Sequence, residues 1–214
     1  MKDSELAPLL CAGNTVYEAL TKGGMQAGDT IVVQGLGGLG HLAIQIARKA
    51  GCRVVAVSGS TQKKELATKL GAHYYFSAQD NVSGPALFSR QHITHPHSRT
   101  QLAEEMKKRG LAAKVALATA PSGDAPNALV PILDRYGTLM IVGTPNDGKP
   151  LALDTFALIS KCCKVGGLAC GPAASNDRFT DWCNLFDVKS MVQEWPLEKA
   201  YEAVRGGAGG ETMR

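Results

Sequence analysis

The chain contains the stretch Thr30-Ile31-Val32-Val33-Gln34-Gly35-Leu36-Gly37-Gly38-Leu39-Gly40, in which β-type residues run directly into a G-x-G-x-x-G turn. A helical pattern from His41 to Ala50 follows, so the glycines form a strand-to-helix turn. Glycine suits this turn because the backbone bends sharply and its free N–H groups must approach an anion closely. The setting predicts a binding site for the pyrophosphate of a dinucleotide. The predicted contacts are Gly35, Leu36, Gly37, Gly38, Leu39 and Gly40.

A second apolar run, Arg53 to Ser58, follows this helix. It closes a strand–helix–strand unit of the length that dinucleotide-binding domains use. S-adenosylmethionine methyltransferases also contain a glycine loop, but they usually carry an acidic residue after the second strand. Ser58 occupies that place here, which disfavours the methyltransferase alternative.

Strand and helix patterns continue to alternate along the chain. Further strands are predicted at 73–76, 114–118, 137–142 and 164–168, and further helices at 9–20, 61–70, 102–109 and 126–133. This alternation favours a parallel sheet with helices on both faces. We therefore expect an α/β fold, a Rossmann-type doubly wound parallel sheet with a short, incomplete C-terminal extension.

The segment 81–100 interrupts this alternation, because it has neither helical nor strand periodicity and is long for a connection. We expect a mobile surface insertion there. Its histidines, His92, His95 and His97, invite a metal-binding interpretation, but Pro96 disrupts a helix and no carboxylate or thiol accompanies them. A solvated insertion without a metal is the favoured interpretation.

Composition narrows the class of protein. The chain has 214 residues, 44% of them hydrophobic, which suffices for one good core. The net charge is only +4 and the basic residues are scattered, so nucleic acid is not an expected partner. The first residues lack the apolar core of a signal peptide and no apolar run has membrane-spanning length, which favours the cytoplasm. The six cysteines form no C-x-x-C pair; we expect them to be reduced and mostly packing residues.

Three further stretches carry a family resemblance. They are Ala7-Pro8-Leu9-Leu10-Cys11-Ala12-Gly13-Asn14-Thr15-Val16-Tyr17, Ile141-Val142-Gly143-Thr144-Pro145 and the closing segment from Val188 to Ala200. With these stretches in this order and the glycine loop between the first two, the chain resembles the zinc-dependent medium-chain alcohol dehydrogenases. The resemblance implies an oxidoreductase that transfers hydride between NAD(P) and a primary, allylic or aromatic alcohol or the aldehyde.

By this resemblance, Cys11 is the single remaining ligand of the family's catalytic zinc, a Lewis acid that activates the bound alcohol. Members of the family carry an N-terminal catalytic domain that supplies the other zinc ligands and most of the substrate pocket, whereas ten residues precede Cys11 here. A lone thiolate does not hold zinc tightly. We therefore expect the chain to be inactive or nearly inactive alone, with a non-catalytic NAD(P)-binding module as the alternative.

The same resemblance divides the chain into three parts. Residues 1–12 are a remnant of the junction with a catalytic domain, 13–168 form the dinucleotide-binding domain, and 169–214 form a partial C-terminal return segment. Disorder is expected over 205–214 because this end is rich in glycine and poor in large apolar residues. Relatives commonly dimerise through an edge of the nucleotide-binding sheet, so the resemblance also implies a homodimer.

The choice of cofactor depends on the end of the second strand, where NAD-preferring sites place an Asp or Glu against the ribose hydroxyls. Ser58 has no carboxylate to repel a 2′-phosphate, and Lys63 and Lys64 open the next helix, where a cation neutralises such a phosphate. We expect NADP, with NAD as the alternative. Lys64 fits an exposed helix face equally well.

Residues near the nicotinamide end follow from the resemblance as well. They are Thr15, Thr119, Val142, Gly143 and Thr144. The last three follow a strand, at the carboxyl edge where ligands bind in open parallel sheets. Their expected roles are shape and backbone hydrogen bonding. His41 is expected to be a surface or packing residue rather than a catalyst.

Overall fold

The centre of the structure is a parallel β-sheet. The computed structural model describes residues 1–77, 96–121, 123, 125–145, 148 and 150–208. The strands in those ranges are β1 (Thr30–Gln34), β2 (Arg53–Ser58), β3 (Tyr74–Ser77), β4 (Ala113–Ala118), β5 (Leu133–Ile141) and β6 (Lys164–Gly167). Neighbouring strands are parallel in the order β3-β2-β1-β4-β5-β6, so the winding direction reverses between β1 and β4. This order confirms the expected Rossmann-type sheet.

Helices cover both faces of the sheet. They are α1 (Asp3–Leu6), α2 (Ala12–Lys22), α3 (Gly38–Lys49), α4 (Lys64–Leu70), α5 (Pro96–Lys108), α6 (Thr155–Lys161), α7 (Asn176–Leu185) and α8 (Ala200–Ala208). Short 3₁₀ helices lie at Ala7–Leu10, Thr61–Lys63, Ala125–Leu129, Ala173–Ser175 and Leu197–Lys199. Ile31 and Val33 pack with α2, α3 and α7 on one face, whereas Val32 packs with α5 on the other. Among the described residues, no helix has both the length and the apolar character to cross a membrane.

The helix predicted over 126–133 is wrong. Residues Ala125–Leu129 form a buried 3₁₀ helix, and β5 already begins at Leu133. Pro131 explains the difference, because proline lacks the N–H that a continuing helix needs and clashes with the preceding turn.

The insertion predicted over 81–100 is also corrected at its C-terminal end. Because α5 begins at Pro96, residues 96–100 are helical, and this proline does not disrupt a helix. Proline fits the first turn of a helix because an N–H there has no intrahelical acceptor to lose. His92 and His95 lie outside the described residues, whereas His97 belongs to α5.

Three helices near the C-terminus, α6, α7 and α8, are not predicted by the sequence pattern. The start of α6 carries a readable signal, since Asp154 Oδ1 accepts a hydrogen bond from Ala157 N–H at 3.0 Å as an N-cap. Disorder is expected from the sequence over 205–214, but α8 includes residues 205–208. Residues 209–214 lie outside the described part of the chain.

Asn14 attaches the C-terminal part of the chain to α2. It is fully buried, and its Nδ2 donates to Asn176 Oδ1 at 2.6 Å and to Pro172 O at 3.2 Å. Its Oδ1 accepts from Ser175 Oγ at 3.1 Å. A Cβ at Gly171 would lie 2.5 Å from Asn14 Cγ, so the backbone approaches this side chain closely.

The cysteines are free, as expected, but only some of them are buried as packing residues. Cys52 and Cys183 are buried, whereas Cys11, Cys162 and Cys170 are exposed. Burial, with a smaller contribution from the carboxylate of Asp29, raises the pKa of Cys52 to about 11. Burial raises the pKa of Cys183 to about 12, so both thiols are protonated at neutral pH.

Candidate functional site

The glycine loop, Gly35–Gly40, joins β1 to α3 at the carboxyl edge of the sheet. Gly35 has a φ of +95°, a left-handed conformation that favours glycine, and its N–H donates to Val57 O of β2 at 2.8 Å. A Cβ at Gly35 would lie 2.5 Å from Thr119 Oγ1. The first glycine of the motif therefore allows the chain to turn tightly beside β4.

The third glycine of the motif, Gly40, brings the helix close to the strand. A Cβ at this position would overlap the carbonyl oxygen of Gly35. Because no side chain larger than hydrogen fits, Gly40 determines how closely the first turn of α3 approaches the end of β1.

The middle glycines differ because they face open space. Neither Gly37 nor Gly38 has an atom within 4 Å of where a Cβ would lie. Gly37 is the N-cap of α3, no side chain caps it, and its carbonyl accepts a helical hydrogen bond from His41 N–H at 3.0 Å. The N–H groups of Gly38, Leu39 and Gly40 therefore have no acceptor within the helix. With the positive end of the helix dipole, they fit the pyrophosphate of a dinucleotide.

The loops after β4 and β5 reach the same edge of the sheet. Thr119, which follows β4, donates to Gln34 O from its N–H at 3.0 Å, and its hydroxyl lies 2.8 Å from the same oxygen. A Cβ at Gly143, which follows β5, would lie 2.6 Å from Thr119 O, so these two loops are in contact. Val142 is half-buried and Thr144 is exposed.

Ser58 and Lys63 lie at the end of β2 and just beyond it. Ser58 is buried as the last residue of the strand. Lys63 ends a 3₁₀ helix, and its Nζ donates to Leu36 O in the glycine loop at 3.1 Å. Its ammonium group therefore lies beside the loop, whereas Lys64 is exposed at the start of α4.

A family model described as zinc-binding dehydrogenase matches residues 38–186. The chain belongs to this family. It is 33% identical over 197 residues to alcohol dehydrogenase notN of Aspergillus sp. (strain MF297-2), over 92% of this chain and 51% of that protein. It is 32% identical over 200 residues to alcohol dehydrogenase patD of Penicillium expansum, over 94% and 52% of the two chains. A solved cinnamyl alcohol dehydrogenase of Sorghum bicolor superposes with a TM-score of 0.79 at 25% identity, over 99% of this chain and 54% of that one.

The chain therefore aligns with proteins named as alcohol dehydrogenases over 92% to 99% of its own length. The chain spans about half the length of the curated relatives it matches. The residues that the family model matches include the glycine loop from Gly38 onward and the loops with Thr119 and Gly143.

A zinc site in this family needs several converging protein ligands. Cys11, the ligand that the resemblance implies, is exposed at the N-cap of α2. Thr15, one turn further along α2, is buried, and its N–H donates to Cys11 O at 2.9 Å. In the described part of the chain, no group of three or more His, Cys, Asp or Glu side chains is arranged to hold a metal ion. These residues do not by themselves fit zinc.

Two buried polar residues beside the glycine loop, Gln34 and His41, have hydrogen-bonding groups whose arrangement the sequence does not predict. Gln34 donates from Nε2 to Ala125 O at 2.9 Å, while its Oε1 is buried with no hydrogen-bond partner in the described structure. The sequence does contain a signal for Gln34, because it is a polar residue at the last position of a largely apolar strand. His41 is buried as expected of a packing residue, but both of its ring nitrogens are hydrogen-bonded.

We expect Gly40→Ala and Gly37→Ala to separate folding from binding. Gly40→Ala forces the overlap with Gly35 O, so the free energy of unfolding should fall by about 2 kcal/mol or more. Gly37→Ala meets no neighbouring atom, and its φ of −122° and ψ of −154° suit alanine, so thermal melting should be unchanged. Its methyl group enters the open space in which we expect the pyrophosphate to bind, so NADPH affinity measured by calorimetry should fall at least about tenfold. An equal loss of stability in both variants would contradict this geometry.

Proposed function

We propose that this chain is the cofactor-binding part of an NAD(P)-dependent alcohol dehydrogenase that interconverts a primary, allylic or aromatic alcohol and its aldehyde. The glycine loop carries this proposal, because Gly40 holds α3 against β1 while Gly37 and Gly38 leave open space before the N–H groups of the helix. The relatives named alcohol dehydrogenase in Aspergillus and Penicillium support the class of substrate.

Hydride transfer is the chemistry that a nicotinamide ring supplies when bound. The residues of this chain bind and orient the molecule that carries the ring. The N–H groups at the start of α3 hold the pyrophosphate, and the loops with Thr119 and Gly143 shape the nicotinamide end. Thr15, Val142 and Thr144 are assigned to that end by analogy with the family.

NADP suits the adenosine end better than NAD. Ser58 places a neutral side chain at the end of β2, where an acidic one would repel a 2′-phosphate. Lys63 bonds a neutral carbonyl, Leu36 O, beside the same loop. A phosphate is the stronger acceptor for this ammonium group, because both partners of the hydrogen bond are then charged.

Titration of the chain with NADPH and with NADH tests these assignments. The wild type should bind NADPH more tightly, and Ser58→Asp should change the ratio of affinities by at least about tenfold toward NADH. Lys63→Ala should weaken NADPH alone, whereas the matched control Lys64→Ala, on an exposed surface, should change neither. Tighter binding of NADH by the wild type would overturn the choice of NADP. Failure to bind either nucleotide would refute the proposed function.

A second candidate function, a nucleotide-binding module without turnover, is favoured by the exposed Cys11. One thiolate supplies one ligand, and a catalytic zinc takes three protein ligands. We therefore expect the 214-residue chain to bind the cofactor without catalysis when it is alone.

The measurement is NADP-dependent oxidation of cinnamyl alcohol with added zinc, with the Sorghum bicolor enzyme as the positive control. No absorbance from NADPH should develop with the chain, because Cys11 alone does not retain the metal. Turnover by the chain would show that other residues complete the metal site, and the module interpretation would then be wrong.

We also propose a homodimer formed through the β6 edge. β6 is the last strand of the described sheet, and its Val165 is 41% exposed. The preceding helix, α6, exposes 79% of Phe156 and 75% of Ile159. Large apolar side chains beside an open strand edge are typical of a protein–protein interface.

Light scattering after gel filtration should give the wild type twice the chain mass of 22.5 kDa. Ile159→Lys should give a monomer, because a charged group would be buried in the interface. Leu197→Lys is the matched control at another exposed apolar residue, and it should leave the dimer intact. A monomeric wild type would rule out this interface.

A further inference from the structure

We propose, building on the proposed function, that His41 is a positioning residue that orients the Gly38 N–H for nucleotide binding. His41 lies in the first turn of α3, directly behind the glycine loop, and is 3% exposed. Its Nδ1 lies 3.1 Å from Gly37 O, and its Nε2 lies 3.1 Å from Met191 N. The ring therefore connects the loop to a segment 150 residues further along the chain.

These two contacts determine which ring nitrogen carries the hydrogen. A carbonyl oxygen only accepts, so Nδ1 is protonated and donates to Gly37 O. A backbone N–H only donates, so Nε2 is unprotonated and accepts from Met191 N–H. The ring is therefore neutral. Burial lowers the pKa of His41, outweighing the opposing hydrogen bonds with the backbone of Gly37 and Gly38, which agrees with a neutral ring.

A docking segment, Val188–Met191, holds the ring from its other side. Gln45, one turn beyond His41 on α3, donates from Nε2 to Lys189 O at 2.9 Å. Its Oε1 accepts from Lys189 N–H at 3.2 Å. This reciprocal contact aligns the docking segment on α3 and brings the Met191 N–H to the imidazole.

The Gly37 carbonyl and the Gly38 N–H belong to one planar peptide group, so the direction of one determines the direction of the other. Two glycines in open space have few contacts of their own to hold this plane. His41 supplies two, because the Gly37 carbonyl accepts from its backbone N–H at 3.0 Å and from its Nδ1–H at 3.1 Å. In a trans peptide the N–H points opposite to the carbonyl. The Gly38 N–H is thus directed away from the helix, into the space before the loop.

An N–H that is oriented before binding needs less ordering when the ligand arrives, and less of the binding free energy is lost. The contact with Gly37 therefore contributes directly to affinity. The contact with Met191 contributes indirectly, because it selects the ring tautomer that donates to Gly37.

The first test compares His41→Asn with His41→Gln. The Asn amide nitrogen takes the place of Nδ1 and keeps a donor for Gly37 O, whereas the Gln amide oxygen takes the place of Nε2 and keeps an acceptor for Met191. NADPH affinity should stay within about threefold in His41→Asn and fall about tenfold in His41→Gln, as one lost hydrogen bond predicts. Equal losses in the two variants would indicate a packing role and overturn the inference.

Nitrogen-15 NMR of the nucleotide-free wild type gives a second test that does not depend on the stability of a variant. The His41 ring should show the neutral Nδ1–H tautomer, and an Nε2–H tautomer would overturn the inference. The order parameter of the Gly38 amide should fall in His41→Gln and not in His41→Asn. A chain with these signatures that binds neither NADPH nor NADH would refute the proposed function while supporting the orientation of Gly38 by His41.

Discussion

The close approach of α3 to β1 is the constraint on which the site depends. Because a Cβ at Gly40 would overlap Gly35 O, the helix starts within one short turn of the strand. The hydrogen bond from Gly35 N–H to Val57 O attaches the same turn to β2, and Thr119 attaches it to the loop after β4. The start of the helix and the ends of three strands are thereby held at one edge of the sheet.

Around this turn the candidate site has a centre of uncapped helical N–H groups and two ends of different chemistry. Lys63 gives one end a positive charge, whereas backbone groups near Thr119 and Gly143 form the other. The reversal of winding between β1 and β4 separates these ends, as in other open parallel sheets that bind ligands. Cys11 is the N-cap of α2 and is not part of the glycine loop or of the loops after β4 and β5.

Much of the sheet can be predicted from the sequence because its buried strands are short apolar runs whose pattern is local. The helix over 126–133 fails for a local reason as well, since Pro131 breaks it. The contacts of the candidate site cannot be predicted in this way. The charge of Lys63 is visible in the sequence, but its bond to the glycine loop is not. His41 reads as a packing residue because its partner, Met191, is 150 residues away and no local pattern reports such a contact.

The attachment of Val188–Met191 to α3 also has a consequence for biosynthesis. Met191, the partner of the His41 ring, is synthesised 150 residues after His41. The strand and helix around the loop form from contacts that are near in sequence, but a contact of such long range closes late in folding. In a nascent chain the His41 backbone N–H holds the Gly37 carbonyl first, and the Met191 N–H selects the tautomer of the ring only after the region around residue 191 has emerged.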